Sequence, residues 1–285
     1  MENILAECGE KVAPAEEVIR EMLVEAKVAG FDETPIRGPK GPYWIHSVST
    51  PLLTWYFPHQ RRGAEGMKAA GILQRFFGRA MHDFWKAYNT FTACFHCFCT
   101  AHLQRELVFV WEVLGQKWAE LMMMHLNGIR QVVKEAKEAG ETELDPETIA
   151  GLERGYRSIL ARGYDENPPT GESATPAPDV EKKRGRRKQS KALNLLDRMR
   201  DNEAGILRFM REFDVPSDNN LAERDLRMMK LRQKISGTFR SLYVLKDFCR
   251  IRSYISTARK NGLTALEALR LSFSGKPFIP GQTTE

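Results

Sequence analysis

The spacing of hydrophobic positions changes several times along this chain, and each change marks an element. Val18, Ile19, Met22, Leu23 and Ala26 form a stripe that predicts a helix over the first residues, leading into a short first strand at Lys27 to Phe31. Tyr43 to Ser49 and Leu52 to Phe57 are aromatic and β-branched runs split by Thr50-Pro51, the pattern of a two-stranded hairpin. Gly63 to Phe76 returns to helical spacing, Gly78 to His82 is a short strand ending at Asp83, and Thr92 to Thr100 reads as a fifth strand. From Ala101 to about Gly140, Leu107, Trp111, Leu114, Trp118, Leu121, His125 and Ile129 recur at three- and four-residue steps, which predicts one or two long amphipathic helices. A further helix spans roughly Pro146 to Arg162. Strands followed by an all-helical insert predict a mixed α/β sheet with flanking helices.

Between residues 165 and 190 the composition breaks. Asn167-Pro168-Pro169-Thr170-Gly171 and Ala174-Thr175-Pro176-Ala177-Pro178 carry almost nothing to bury, so the segment reads as a disordered linker ending in the basic run Lys182 to Lys188. A helix with the stripe Ala192, Leu196, Met199, Ile206, Met210 and Phe213 follows. Pro216-Ser217-Asp218-Asn219-Asn220 stops it and starts the next, and the chain closes with a helix around Phe248 to Lys260 and a capping-box restart at Thr264 to Glu267. The expected organisation is a helical lead-in (1–26), a first core part (27–100), a helical insert (101–164), the linker (165–190), a helical return with the C-terminal helices (191–275) and a tail (276–285).

Length and composition restrict the function classes. With 285 residues, 42% of them hydrophobic, the chain can bury an enzyme-sized core, and a net charge of +6 favours polyanionic partners. No run approaches a bilayer span, and the start lacks a signal-peptide pattern, so a cytoplasmic, nucleoid-associated location without a membrane partner is expected. Five cysteines, three of them at Cys94, Cys97 and Cys99, suggest reduced thiols rather than a disulfide framework.

Three acidic residues stand out by position. Asp32 ends the first strand candidate, Asp83 ends the fourth, and Glu223 lies one turn into the helix starting near Asn220. If the first and fourth strands are neighbours, their ends bring the two aspartates side by side, and such a pair needs a cation between its members. Oxygen ligands suit Mg²⁺ or Mn²⁺, and two such ions serve phosphodiester exchange by activating the attacking hydroxyl and stabilising the leaving oxygen. The competing readings are turn residues for the aspartates and a capping box with Asn220 for Glu223.

Asp218-Asn219-Asn220-Leu221-Ala222-Glu223-Arg224-Asp225-Leu226-Arg227 resembles the "DNN-x-AER-x-LR" motif of the Insertion Sequence 66 (IS66) transposases. The likeness continues through Lys234 to Ser241 and Ala258 to Gly262, and upstream through Asp32-Glu33-Thr34, His82 to Tyr88 and Cys99 to Leu107. It implies a ribonuclease H-like, DDE-type DNA transposase in which Asp32, Asp83 and Glu223 are the catalytic residues and hold two Mg²⁺ or Mn²⁺ ions, with Asp218 as the competing acid. It further implies DNA cleavage and strand transfer on double-stranded transposon ends and target, by a homo-oligomer assembled on DNA. Members of that family usually carry an N-terminal helical segment and a cysteine-rich zinc module without counterpart here, so the expected readings are a short variant, a split or decayed open reading frame or a fragment, with a separate end-recognition polypeptide as a candidate partner. Alternatives of other classes are an inactive transposase-derived DNA-binding protein and a metal-dependent nuclease that does not join.

Arg224, Arg227, Lys230, Arg232 and Lys234 are candidate DNA-phosphate contacts, weighed against an ordinary solvated helix face. The basic run Lys182 to Lys188 either tracks the DNA backbone or is a charged linker. His102 and Arg105 match the family's Ala-His-x-x-Arg segment and are further DNA-binding candidates. Cys94, His96, Cys97, Cys99 and His102 are spaced too irregularly for a zinc site and read as buried groups around a core strand. Trp111 and Trp118 read as core of the insert.

Overall fold

The computed structural model describes residues 2–39, 41–168 and 189–282. They form two compact units, one from residues 1–98 and 218–285, the other from residues 99–217. The first carries a sheet of five strands: β1 (Val28–Gly38), β2 (Gly41–Ser49), β3 (Thr54–His59), β4 (Arg79–His82) and β5 (Phe95–Phe98). Their order is β3-β2-β1-β4-β5. β1, β2 and β3 pair antiparallel as a meander, while β4 and β5 add parallel to β1. This is an α/β, ribonuclease H-like mixed sheet.

Helices α1 (Glu2–Val24), α2 (Ala64–Ala70), α9 (Asn220–Ser236), α10 (Leu242–Lys260) and α11 (Ala265–Phe273) complete this unit. Side chains of β1 alternate between two cores, as the strand period of two requires. Ala29 and Phe31 join Ile19, Leu23, Trp55, Met67 and Phe76, while Ile36 joins Tyr56, Leu226, Met229 and Leu245. Odd positions of β1 thus face α1 and α2, and even positions face α9. The expected helix over 63–76 is one short helix, α2, ended by Gly71 in the left-handed conformation. Thr264 and Glu267 form the expected capping box.

The first strand runs further than its hydrophobic run suggests. Asp32 is the fifth of eleven residues rather than the last, because Glu33 to Gly38 go on pairing with β2 down to Gly41. What ends near Asp32 is the parallel pairing with β4, whose last partners are Gly30 and Met81.

The second unit is helical: α3 (Thr100–Glu112), α4 (Lys117–Glu138), α5 (Pro146–Glu166), α6 (Lys191–Asp201), α7 (Glu203–Ile206) and α8 (Arg208–Arg211). Residues 191–211, expected with the return of the chain, belong here, because α6 buries Ala192, Leu195, Leu196 and Met199 and packs on α5. The return to the sheet-bearing unit starts at Asp218. Trp118 is fully buried, whereas Trp111 is 38% exposed. Gly115, at positive φ, breaks the chain between α3 and α4 and puts the two tryptophans on different helices. Of the expected linker, Asp165 and Glu166 still belong to α5, and residues 169–188, with the basic run, lie outside the described residues.

Candidate active site

Parallel pairing fixes the first relation in the site. With Gly30 opposite Met81, continuing the register sets Asp32 level with Asp83, just past the end of β4. Asp32 turns toward α9 because it shares its face of β1 with Gly30 and Ile36. The side chain of Asp83 accepts from the Trp85 amide at 2.9 Å, which opens the turn into the short 3₁₀ segment Lys86–Thr90.

Helix α9 is set on β1 by a close approach. A Cβ at Gly30 would lie 2.5 Å from Asn219 Oδ1 and 3.3 Å from Ala222 Cβ, so glycine is what lets the helix start come down on the strand. The Asn219 side chain, 3% exposed as a residue, donates to the Phe31 carbonyl at 2.8 Å, one residue before Asp32. Glu223 follows one turn later, with its amide on the Asn219 carbonyl. It is the fourth residue of α9, and the capping box weighed for it does not form: Asn219 is the N-cap and has no side-chain cap bond. Asp218, one residue before the N-cap, receives the first helical amide instead, its Oδ1 accepting from Asn220 at 3.0 Å.

The electrostatics agree with this convergence. Burial, then the negative charge of Glu33, then those of Glu223 and Asp83, push the Asp32 carboxyl from 3.8 up to about 7, against the opposing hydrogen bond from the Glu33 amide. Glu33 lies on the opposite face of β1 with a side chain only 2% exposed. Arg62 and the Tyr88 hydroxyl donate to its two oxygens at 2.7 Å each, and the Arg62 guanidinium stacks on Trp85 at 4.0 Å and Trp44 at 4.9 Å. This pair, buried on the Glu33 side and half-exposed at Arg62, ties the segment after Asp83 to β1. His82, fully buried, stacks on Tyr88 and bonds His96 through Nε2 at 2.8 Å; burial lowers it to about 3.

A second polar network holds α9 from its other side. One oxygen of Asp225 accepts from Ser49 (2.7 Å), Thr54 (3.0 Å) and the Lys260 ammonium (2.7 Å). Lys260 also donates to the Thr50 and Leu53 carbonyls, and Tyr56 donates to the Asp225 carbonyl at 2.8 Å. Helix α9, the β2–β3 turn and the end of α10 are thereby joined two residues from Glu223. Asn219, Glu33, Arg62, Asp225 and Lys260 were not singled out as site residues from the sequence. The only signal was the placement of Asn219, Glu33, Asp225 and Lys260 inside the quoted motifs, and Arg62 had none, since their partners are distant in the chain.

Of the basic candidates, Arg224, Arg227, Lys230 and Lys234 are exposed on α9. Arg232 folds back over Phe239, 3.6 Å from the ring centroid, and donates to the Gly237 carbonyl. His102 and Arg105 lie on α3 of the second unit, where Arg105 Nε donates to the Ala101 carbonyl at 3.4 Å. The five thiols are buried, Cys94 among the apolar residues next to α1 and α2.

No helix among the described residues is long and apolar enough to cross a membrane. No curated protein matches the chain. Residues 1–245 match the model of the Transposase IS66 family, a span that includes both aspartates, Glu223, Asn219, Glu33, Arg62 and Asp225, while Lys260 lies beyond it. On that match the chain belongs to the IS66 family of transposases.

Proposed function

We propose that this transposase cuts and joins DNA by divalent-metal-dependent phosphoryl transfer, with Asp32, Asp83 and Glu223 as the catalytic and metal-holding residues. The observation that carries the reading is the shared level of Asp32 and Asp83 across β1 and β4, with Glu223 on the helix packed over that face. The donor set fits the ion: three carboxylates are hard oxygen ligands of the kind Mg²⁺ and Mn²⁺ select, and the raised Asp32 carboxyl registers negative charge that a cation would relieve. Two divalent ions bound there would supply an activated attacking oxygen and a stabilised leaving oxygen.

The protein's own part is position and charge. Asp32 is held by its strand and by the Glu33 amide, Asp83 by its turn, and Glu223 by the Asn219 and Asp225 anchors on either side of it. Arg224, Arg227, Lys230 and Lys234 offer positive charge to DNA phosphates along the exposed side of the same helix, while Arg232 shapes its end. His102 and Arg105 are further candidate phosphate contacts. The substrate is double-stranded DNA at transposon ends and target, handled by an oligomer on DNA.

Cleavage and joining of a labelled duplex in Mn²⁺, with each carboxylate replaced by its amide, tests this. Loss of both reactions in all three variants is the expected result. Cleavage without joining by the wild type would make the protein a nuclease, and activity retained by the Glu223→Gln variant would remove Glu223 from the site.

A further inference from the structure

Charge is unevenly compensated where Lys260 ties the end of α10 to α9. Asp225 of α9 is paired with Lys260 of α10 and bonded to Ser49 and Thr54. The charge of Arg224 on α9 acts on Lys260, while Arg252 of α10 is within electrostatic reach of Asp225, of Tyr56 on β3 and of Arg259 further along α10. Among the described residues none of the three arginines is in an ion pair. Arg252 is the unusual one: its Nε is buried and, among the described residues, has no hydrogen-bond partner. Burial holds its guanidinium below the usual arginine range; Tyr56 and Asp225 oppose that shift, and Arg259 adds to it. The buried Nε fixes the guanidinium in place, and a partly buried cation outside any ion pair costs stability unless something outside the fold supplies a counter-charge to its terminal nitrogens.

We propose that Arg252, with Arg259 on the same face of α10 and Arg224 beside the Asp225–Lys260 pair, forms a phosphate-binding subsite that holds the DNA backbone where the end of α10 meets α9. The stem of Arg252 is fixed by burial, so its terminal nitrogens meet an oxyanion with little further ordering, and a fork suits phosphate better than a point charge. Arg259 lies seven residues on, on the same face of α10 and about 10 Å along it. That spread suits a run of phosphates rather than one small anion. Arg224 directly follows Glu223, so the subsite belongs to the helix that carries the proposed metal ligand. The inference rests on the DNA reading above and adds residues outside the basic stripe of α9.

The test compares wild type, Arg252→Gln, Arg252→Lys and the exposed-site variant Arg259→Gln, using duplex DNA over about 50 to 200 mM salt. Arg252→Gln is expected to bind about three- to tenfold more weakly, with the slope of log affinity against log salt reduced by about one. Arg259→Gln shifts in the same direction, and Arg252→Lys recovers part of the loss. Unchanged affinity and slope in both glutamine variants overturn the subsite. In a parallel arm, inorganic phosphate replaces chloride at equal ionic strength in thermal unfolding. If the wild type binds no DNA but phosphate stabilises it and not Arg252→Gln, the anion site stands and the DNA reading falls; no DNA binding and no phosphate effect overturn the subsite as well.

Discussion

Replacing Asp32 by Asn should make the metal-free protein more stable at alkaline pH, an effect that follows from the site's own electrostatics. The folded carboxyl titrates near 7 instead of 3.8, with burial as the leading cause. Below 3.8 it is protonated folded and unfolded, and pH has no leverage through it. Between 3.8 and about 7 only the unfolded chain releases the proton, so stability falls by about 1.4 kcal/mol per pH unit; above about 7 the loss levels off at about 4 kcal/mol. Asn keeps the shape and removes the titration. In EDTA, urea unfolding of Asp32→Asn should lie within about 1 kcal/mol of wild type near pH 4 and exceed it by about 4 kcal/mol near pH 8. Adding Mn²⁺ near pH 8 should stabilise the wild type and leave the variant nearly unmoved, because the ion offsets the cost of a buried, ionised Asp32 carboxylate that the substitution has already removed. A stability difference of the same size at both pH values would refute the reasoning, since it would mean that Asp32 is not forced to ionise among buried carboxylates.

Three further outcomes follow from the supporting networks. Gly30→Ala puts a Cβ 2.5 Å from Asn219 Oδ1, so chemical denaturation should show a loss of about 1–3 kcal/mol, with weaker Mn²⁺ binding by isothermal titration as α9 lifts from β1. Lys260→Met leaves the Asp225 carboxylate, 13% exposed, without its counterion and should cost about 3–5 kcal/mol; combined with Asp225→Asn the loss should be less than the sum of the single losses in a double-mutant cycle. Arg62→Ala removes the cation that holds the buried Glu33 carboxyl down, so Glu33 titrates still higher and the stability loss read by urea unfolding should be larger near pH 8 than near pH 5.

Periodicity carries the element types well where the apolar residues lie on one face. Both strands of the β2–β3 hairpin, the α4 stripe and the capping box at Thr264 are local patterns, set by side-chain spacing and by which backbone amides need partners. The same local logic misjudges Trp111, since a residue spacing alone does not reveal that Gly115 turns the chain out of the helix. It also stops β1 at Asp32, because Glu33, Pro35 and Arg37 lack the apolar alternation that marks a buried strand, yet they pair with β2.

By itself, then, the sequence determined the mixed α/β class, the family motif and the three acidic candidates, each of which rests on residues close together in the chain. Only the tertiary structure decided that β1 and β4 are parallel neighbours in a register that levels Asp32 with Asp83, and that Asn219 and Gly30 bring the start of α9 down beside them. The fixing contacts join residues far apart in sequence: Asn219 to Phe31, Arg62 to Glu33, Lys260 to Asp225 and to the β2–β3 turn. Register, close approach and buried charge pairing are properties of surfaces that exist only once the chain has folded, so no local pattern encodes them.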